Sequence, residues 1–152
     1  MIEKKLKELG IEITEPAKPL AAYVPFVKAG DFVFTSGQIP VENGELKFKG
    51  KVGKDLSLEE GQAAAKLCLI NCLSAVKAAA GSLNSIERIV KITVFVNSAE
   101  GFTAQPQVAN GASNLLIDIF GETGKHSRSA VGVSELPIDS AVEIEMIAKL
   151  KE

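Results

Sequence analysis

Ser57-Leu58-Glu59-Glu60 opens a helix and Gly81 closes it, and the residues between them leave few folds open. The first four form a capping box, in which the serine hydroxyl and the glutamate carboxylate satisfy backbone donors that have no partner inside the helix. Ala65, Leu69, Cys72, Val76 and Ala79 then recur at spacings of four and three, which lays a single apolar stripe along one side. Ala63, Ala64, Ala65, Ala78 and Ala80 keep the helix slim, so that it can lie close against a sheet. A helix with one apolar side needs a surface to cover, and the flanking sequence supplies strands.

Ile89 to Val96 is the strongest of them, with Val90, Ile92, Val94 and Val96 assigned to one face and Lys91 and Thr93 to the other. Ala141 to Lys149 alternates in the same way: Val142, Ile144, Met146 and Ala148 against Glu143 and Glu145. Ser129 to Val133 reads as a further strand, and Pro106 to Phe120 as a second helix with proline in its first turn. Upstream, Tyr23 to Lys28 and Phe32 to Ser36 flank the turn Ala29-Gly30-Asp31, and Glu42-Asn43-Gly44 is a hairpin signal preceding a short strand from Leu46 to Phe48. Ile2, Leu6 and Leu9 predict a short amphipathic helix over residues 2–10, and Pro16 and Pro19 an extended connection after it. The order predicts one α+β domain over residues 1–152, with residues 1–19 as N-terminal helix and connection: a mixed sheet carrying two helices on one face. Phe34, Phe95 and Ile147 fall on the uncovered face and predict an oligomer.

Charge and cysteine usage narrow the function. Seventeen basic and nineteen acidic residues in 152 give a net charge of −2, without the electrostatic footprint of a nucleic-acid binder. The apolar runs read as too short to span a membrane, and Met1-Ile2-Glu3-Lys4-Lys5 leads into no apolar signal segment, so a cytoplasmic protein is expected. Cys68 and Cys72 lie four apart on the helix, too far for a disulfide, and with one histidine in the chain, His126, metal ligation lacks further ligands. They read as buried thiols in a reducing compartment. Gly121-Glu122-Thr123-Gly124-Lys125 imitates the end of a phosphate-binding loop, but Ile119 replaces its first glycine and a strand follows. Lys47, Lys49, Lys51 and Lys54 form a basic cluster with only Phe48 beside them, which reads as a solvated edge.

What remains is Arg128, Glu143 and the segment Thr35-Ser36-Gly37-Gln38-Ile39-Pro40. The run Arg128-Ser129-Ala130-Val131-Gly132-Val133, then Leu136-Pro137, then Val142-Glu143-Ile144-Glu145, resembles the C-terminal signature of the Rid (reactive intermediate deaminase, YjgF) family. Residues 35–40 resemble its N-terminal signature and Val90 to Val96 its central strand. Together with the N-terminal helix and the segment Phe102 to Gly111, the chain resembles a longer branch of that family.

The resemblance implies a chorismate-mutase-like fold and a homotrimer with pockets between subunits. It implies hydrolysis of enamines and imines such as 2-aminoacrylate and 2-iminopropanoate to 2-keto acids and ammonia, without a cofactor. Arg128 would then hold the substrate carboxylate and Glu143 assist water, with Tyr23, Ser36, Gly37, Asn110 and Ala130 lining the cleft. Many members carry cysteine where this chain has Ala130, and proline or alanine where it has His126. Elementary chemistry agrees: a guanidinium grips a carboxylate with paired donors, and water attacks an imine carbon that is already electrophilic. Two other readings stay open, a cross-strand salt bridge between Arg128 and Glu143 with no site role, and a trimeric binder of small carboxylates without catalysis. Ribonuclease or translation inhibition, attached to some relatives, is the weakest on charge and the lack of a stacking platform.

Overall fold

The computed structural model describes residues 1–16 and 22–152; Pro19 and most of the expected connection lie outside the described residues. Ten elements follow in order: α1 (Ile2–Glu8), β1 (Phe26–Ala29), β2 (Phe32–Thr35), β3 (Val41–Glu42), β4 (Glu45–Leu46), α2 (Leu58–Ala80), β5 (Ile86–Asn97), α3 (Gln105–Phe120), β6 (Ser127–Val133) and β7 (Val142–Leu150). Five strands form one sheet in the order β1-β2-β7-β5-β6, while β3 and β4 make a separate hairpin. Only β5 and β6 run parallel, because α3 is the crossover that returns the chain to the same end of the sheet. The mixed sheet under two helices is the architecture the sequence predicts.

At the start of α2, the Ser57 hydroxyl accepts from the Glu60 amide at 3.1 Å and the Glu60 carboxylate accepts from the Ser57 amide at 3.1 Å. Gly81 ends the helix at φ 82°. Ala65, Leu69, Cys72 and Val76 of the stripe are fully buried against the sheet. Cys68 and Cys72 are free thiols, as their spacing requires, and point at the carbonyls of Val142 and Ile144 on β7. Burial pushes the Cys72 thiol up to about 12 and the Cys68 thiol well above its ordinary value, so both are unreactive. One expectation needs correcting: α2, at 23 residues, is long and apolar enough to cross a membrane by length and composition alone. Half of that apolar stretch is buried inside the fold, which is the usual place of a core helix.

β5 starts at Ile86, earlier than predicted, and two register irregularities interrupt its pairing with β7. Each adds a residue on one side and resets the two-residue alternation, so Ile86, Ile89 and Ile92 all face the helices. Val90, assigned by simple alternation to the face of Ile92, is displaced from it and only half-buried. Beyond the irregularities Ile92, Val94 and Val96 are fully buried, as are Val142, Ile144 and Ala148 of β7. Each such valine or isoleucine side chain contributes about 1.5–3 kcal/mol by leaving water.

β1 begins at Phe26 and not at Tyr23, since Pro25 has no amide proton to give a ladder. β4 ends at Leu46 because Phe48 turns toward the core and its carbonyl accepts from the Ala141 amide. The uncovered face carries Phe34, opposite both Val27 and Ile147, and Phe95, opposite Glu143 and Val131. Phe34 is 43% exposed, with Val27 and Phe32 exposed beside it and Val131 exposed further across the sheet next to Phe95.

Candidate active site

Arg128 and Ala130 lie on β6, at the sheet edge, opposite Ile92 and Val94. Both of those partners are fully buried under the helices, so Arg128 projects toward the helical layer. There its Nη1 donates to Asn110 Oδ1 at 2.9 Å and to Ser113 Oγ at 3.2 Å, both on α3 and one helical turn apart. Ser113 Oγ lies 2.8 Å from His126 Nε2, and His126 Nδ1 lies 2.6 Å from the Gly124 carbonyl. Gly124 can present that carbonyl because it has no side chain: a Cβ there would stand 2.2 Å from the Leu116 carbonyl oxygen of α3. Burial, followed by the nearby Arg128 charge, holds the His126 imidazole below its ordinary pKa despite the Gly124 carbonyl.

Among the described residues Arg128 has no carboxylate partner; the ion pairs lie elsewhere. Both protons of Nη1 are engaged, which leaves the parallel donors of the Nε–Nη2 edge for a carboxylate. No three His, Cys, Asp or Glu side chains among the described residues converge in a metal-binding arrangement.

The second group of residues gathers on β7. Phe34 stands opposite Ile147, and Gln38 opposite Ile144, so the chain of β2 advances four residues while β7 advances three. One residue is looped out at Ser36-Gly37. Thr35 adapts by accepting the Met146 amide on its side-chain oxygen at 3.0 Å, and Gln38 restores the ladder by exchanging two backbone bonds with Ile144. The irregularity presses Gly37 onto Glu143: a Cβ at Gly37 would stand 2.6 Å from Glu143 Oε1. Ser36 donates its hydroxyl to the Val24 carbonyl at 2.5 Å and its amide to Pro25, which anchors the segment bearing Tyr23, itself 58% exposed. Burial, with a smaller contribution from Glu145, raises the Glu143 carboxyl above the usual range.

The seven residues singled out in the sequence therefore fall into two groups. Asn110 and Ala130 join Arg128; Ser36, Gly37 and the Tyr23 segment join Glu143. The sheet separates the groups. Arg128 shares its side with Ile92 and Met146, whereas Glu143 shares the opposite side with Phe95 and Val131. A cross-strand ion pair between Arg128 and Glu143 is thereby excluded. Ser113 and His126 were not among the residues singled out, although the spacing could have shown them: Ser113 is three residues from Asn110 on a helix, His126 two from Arg128 beside a strand. The lysine cluster is partly consumed by structure, since Lys51 bonds Asn97 and the Ser134 carbonyl and Lys47 pairs with Glu45 at 3.1 Å.

This sheet with its helices matches known proteins over nearly the whole chain. The family model described as "YjgF/chorismate mutase-like, putative endoribonuclease" matches residues 3–150. The chain belongs to the YjgF/RutC family. Protein TCP17 of Trypanosoma cruzi is 42% identical over 150 residues, covering 98% of this chain and 94% of that protein. The crystal structure of Atu1372, a protein of unknown function from Agrobacterium tumefaciens, superposes with a TM-score of 0.90 at 43% identity, covering 99% of this chain and 94% of that one. Escherichia coli TdcF, named "putative reactive intermediate deaminase", is 35% identical over 140 residues, covering 91% of this chain and 94% of that protein. Its crystal structure with bound serine gives a TM-score of 0.66 at 31% identity, covering 90% and 94%.

Proposed function

We propose that this chain hydrolyses reactive 2-imino and 2-enamino acids to 2-keto acids and ammonia, as a homotrimer whose pockets lie between copies. The observation that carries the reading is Arg128: a half-buried guanidinium with no acidic partner among the described residues, and one nitrogen tied down so that its other edge is free. Such an edge takes a carboxylate in paired hydrogen bonds. The serine bound in the related TdcF structure carries a carboxylate of this kind.

Glu143, half-buried and with its carboxyl raised above the usual range, is suited to take up and pass on a proton. An enamine takes a proton at its terminal carbon and becomes the imine. Water then adds to the imine carbon, and the carbinolamine loses ammonia to leave the ketone. One C=N bond is replaced by C=O, with no change of oxidation state and no need for a cofactor. Since the sheet separates Arg128 from Glu143 within one chain, both can reach one ligand only across a boundary between copies. The apolar open face around Phe34 supports such an assembly. The two free thiols support a reducing, cytoplasmic setting.

The separation also favours a second reading, in which the arginine side binds small carboxylates without turnover. The test is hydrolysis of 2-iminopropanoate, generated in place by an amino-acid oxidase, by the wild type and by Arg128→Ala. Acceleration lost in the variant supports the enzyme. No acceleration by the wild type over buffer removes it, and saturable binding of 2-keto acids then supports the binder.

A further inference from the structure

We propose that Ser113 and His126 are positioning residues for Arg128: His126 directs the Ser113 hydroxyl proton away from the guanidinium, so that Ser113 presents only a lone pair to it. The inference rests on the carboxylate-binding reading of Arg128 and adds what fixes that arginine's geometry.

The polarity of the chain follows from its end points. The Gly124 carbonyl, 2.6 Å from His126 Nδ1, can only accept, so Nδ1 carries a proton. In the neutral ring Nε2 then has none and must accept, and its partner at 2.8 Å is the Ser113 hydroxyl. Burial and the Arg128 charge both favour the neutral ring. With its proton committed to His126, Ser113 has lone pairs left for Arg128 Nη1 at 3.2 Å, beside Asn110 Oδ1 at 2.9 Å. A serine without His126 has a second hydroxyl orientation, proton toward the guanidinium, which repels it. Ser113 is 8% exposed, so its choice of partner is made chiefly among these side chains. The relay thus removes one of two hydroxyl states and holds the free edge of Arg128 in one orientation, which is what a rigid supporting contact gives a binding group.

His126 is the sole histidine, so its two ring nitrogens give unambiguous 15N signals in the full-length protein. The expected result is the Nδ1–H form in the wild type, retained in Ser113→Ala because the Gly124 carbonyl alone fixes that tautomer. An Nε2–H form in the wild type overturns the relay, whatever the protein binds. The second measurement is calorimetric titration with pyruvate of variants that retain wild-type chemical-shift dispersion. His126→Gln places an acceptor near the former Nε2, whereas His126→Asn replaces only Nδ1. Ser113→Ala and His126→Asn should each weaken pyruvate about tenfold, the scale of one hydrogen bond to a charged group, with His126→Gln within about twofold of wild type. Equal affinity of the Asn and Gln variants overturns the proposal. Absence of pyruvate binding by the wild type counts against the carboxylate reading itself, and the tautomer result then decides the relay separately.

Discussion

The arginine side and the glutamate side of the sheet are built by different means. Arg128 is held by the directed hydrogen bonds it donates to two side chains of α3, one of them backed by His126 and a backbone carbonyl. Glu143 has no such partner among the described residues; it is confined by the backbone of Gly37 pressed against it and by burial. The first arrangement fixes a charge that must stay charged. The second leaves a carboxyl uncompensated, and its proton affinity rises as a result. The roles proposed for them, holding an anion and exchanging a proton, call for these opposite surroundings.

The sharpest way to break the comparison is at Arg128. Arg128→Ala should lower the rate of 2-iminopropanoate hydrolysis by about 10²–10³-fold, the scale of losing a principal electrostatic anchor, with an unchanged circular dichroism spectrum. Arg128→Lys should recover little of it, because an ammonium cannot reproduce the paired planar donors. Measurable activity at the wild-type rate in either variant refutes the assigned role.

On the opposite face, Phe95→Asp should weaken assembly and turnover together, since it places a charge between Glu143 and Val131 on the open face that also carries Phe34 and Ile147. Light scattering at micromolar concentration reads the mass; a 16.1 kDa particle with full activity refutes the shared cleft. Gly37→Ala should cost less: about tenfold in rate and about 1–2 kcal/mol in stability, as the new methyl drives Glu143 aside. A normal rate with Glu143 undisplaced would show that confinement by backbone is unimportant there.

The smallest effects are in the pH dependence of stability. Glu143 binds its proton more tightly folded than unfolded. Its contribution is therefore complete below the unfolded carboxyl pKa and is lost as pH rises through the raised folded value. His126 behaves in the opposite direction: its folded pKa is lowered, so the unfolded chain binds the extra proton. That contribution is complete above the ordinary histidine pKa of about 6.5 and declines as pH falls toward the folded value. Thermal melting against pH should lose the first dependence in Glu143→Gln and the second in His126→Gln, and retention of either slope refutes that assignment.

Most of the helical layer was legible in the sequence because its signals are local. Ser57 with Glu60 marks the start of α2, Gly81 its end, and Pro106 the first turn of α3, each within a few residues of chain. The alternation of β7 was equally readable, since no irregularity interrupts it. Val90 was misplaced because alternation assumes an unbroken count, and the irregularities of β5 arise from its pairing with β7, some sixty residues away. The two-sided division of the site was beyond reach for the same reason: which face Arg128 takes depends on its register with Ile92, and no local pattern encodes that. Asn110 was placed through family resemblance; spacing alone could have pointed to Ser113 beside Asn110 and to His126 beside Arg128, and the meeting of α3 with β6 joins the two.

The looped-out residue at Ser36-Gly37 also bears on how this chain tolerates change in length. A strand keeps time in twos, and here the beat is deliberately skipped: Thr35 and Gln38, three positions apart, both stand over β7 residues that face the helices. Removing a single residue between them would not trim a loop. It would restore an even rhythm, leaving three residues opposite three so that Gln38 keeps its place over Ile144, and take the backbone off Glu143. Substitutions here can be graded by size, but a deletion acts all at once, because it removes the one residue that holds the ladder open over Glu143.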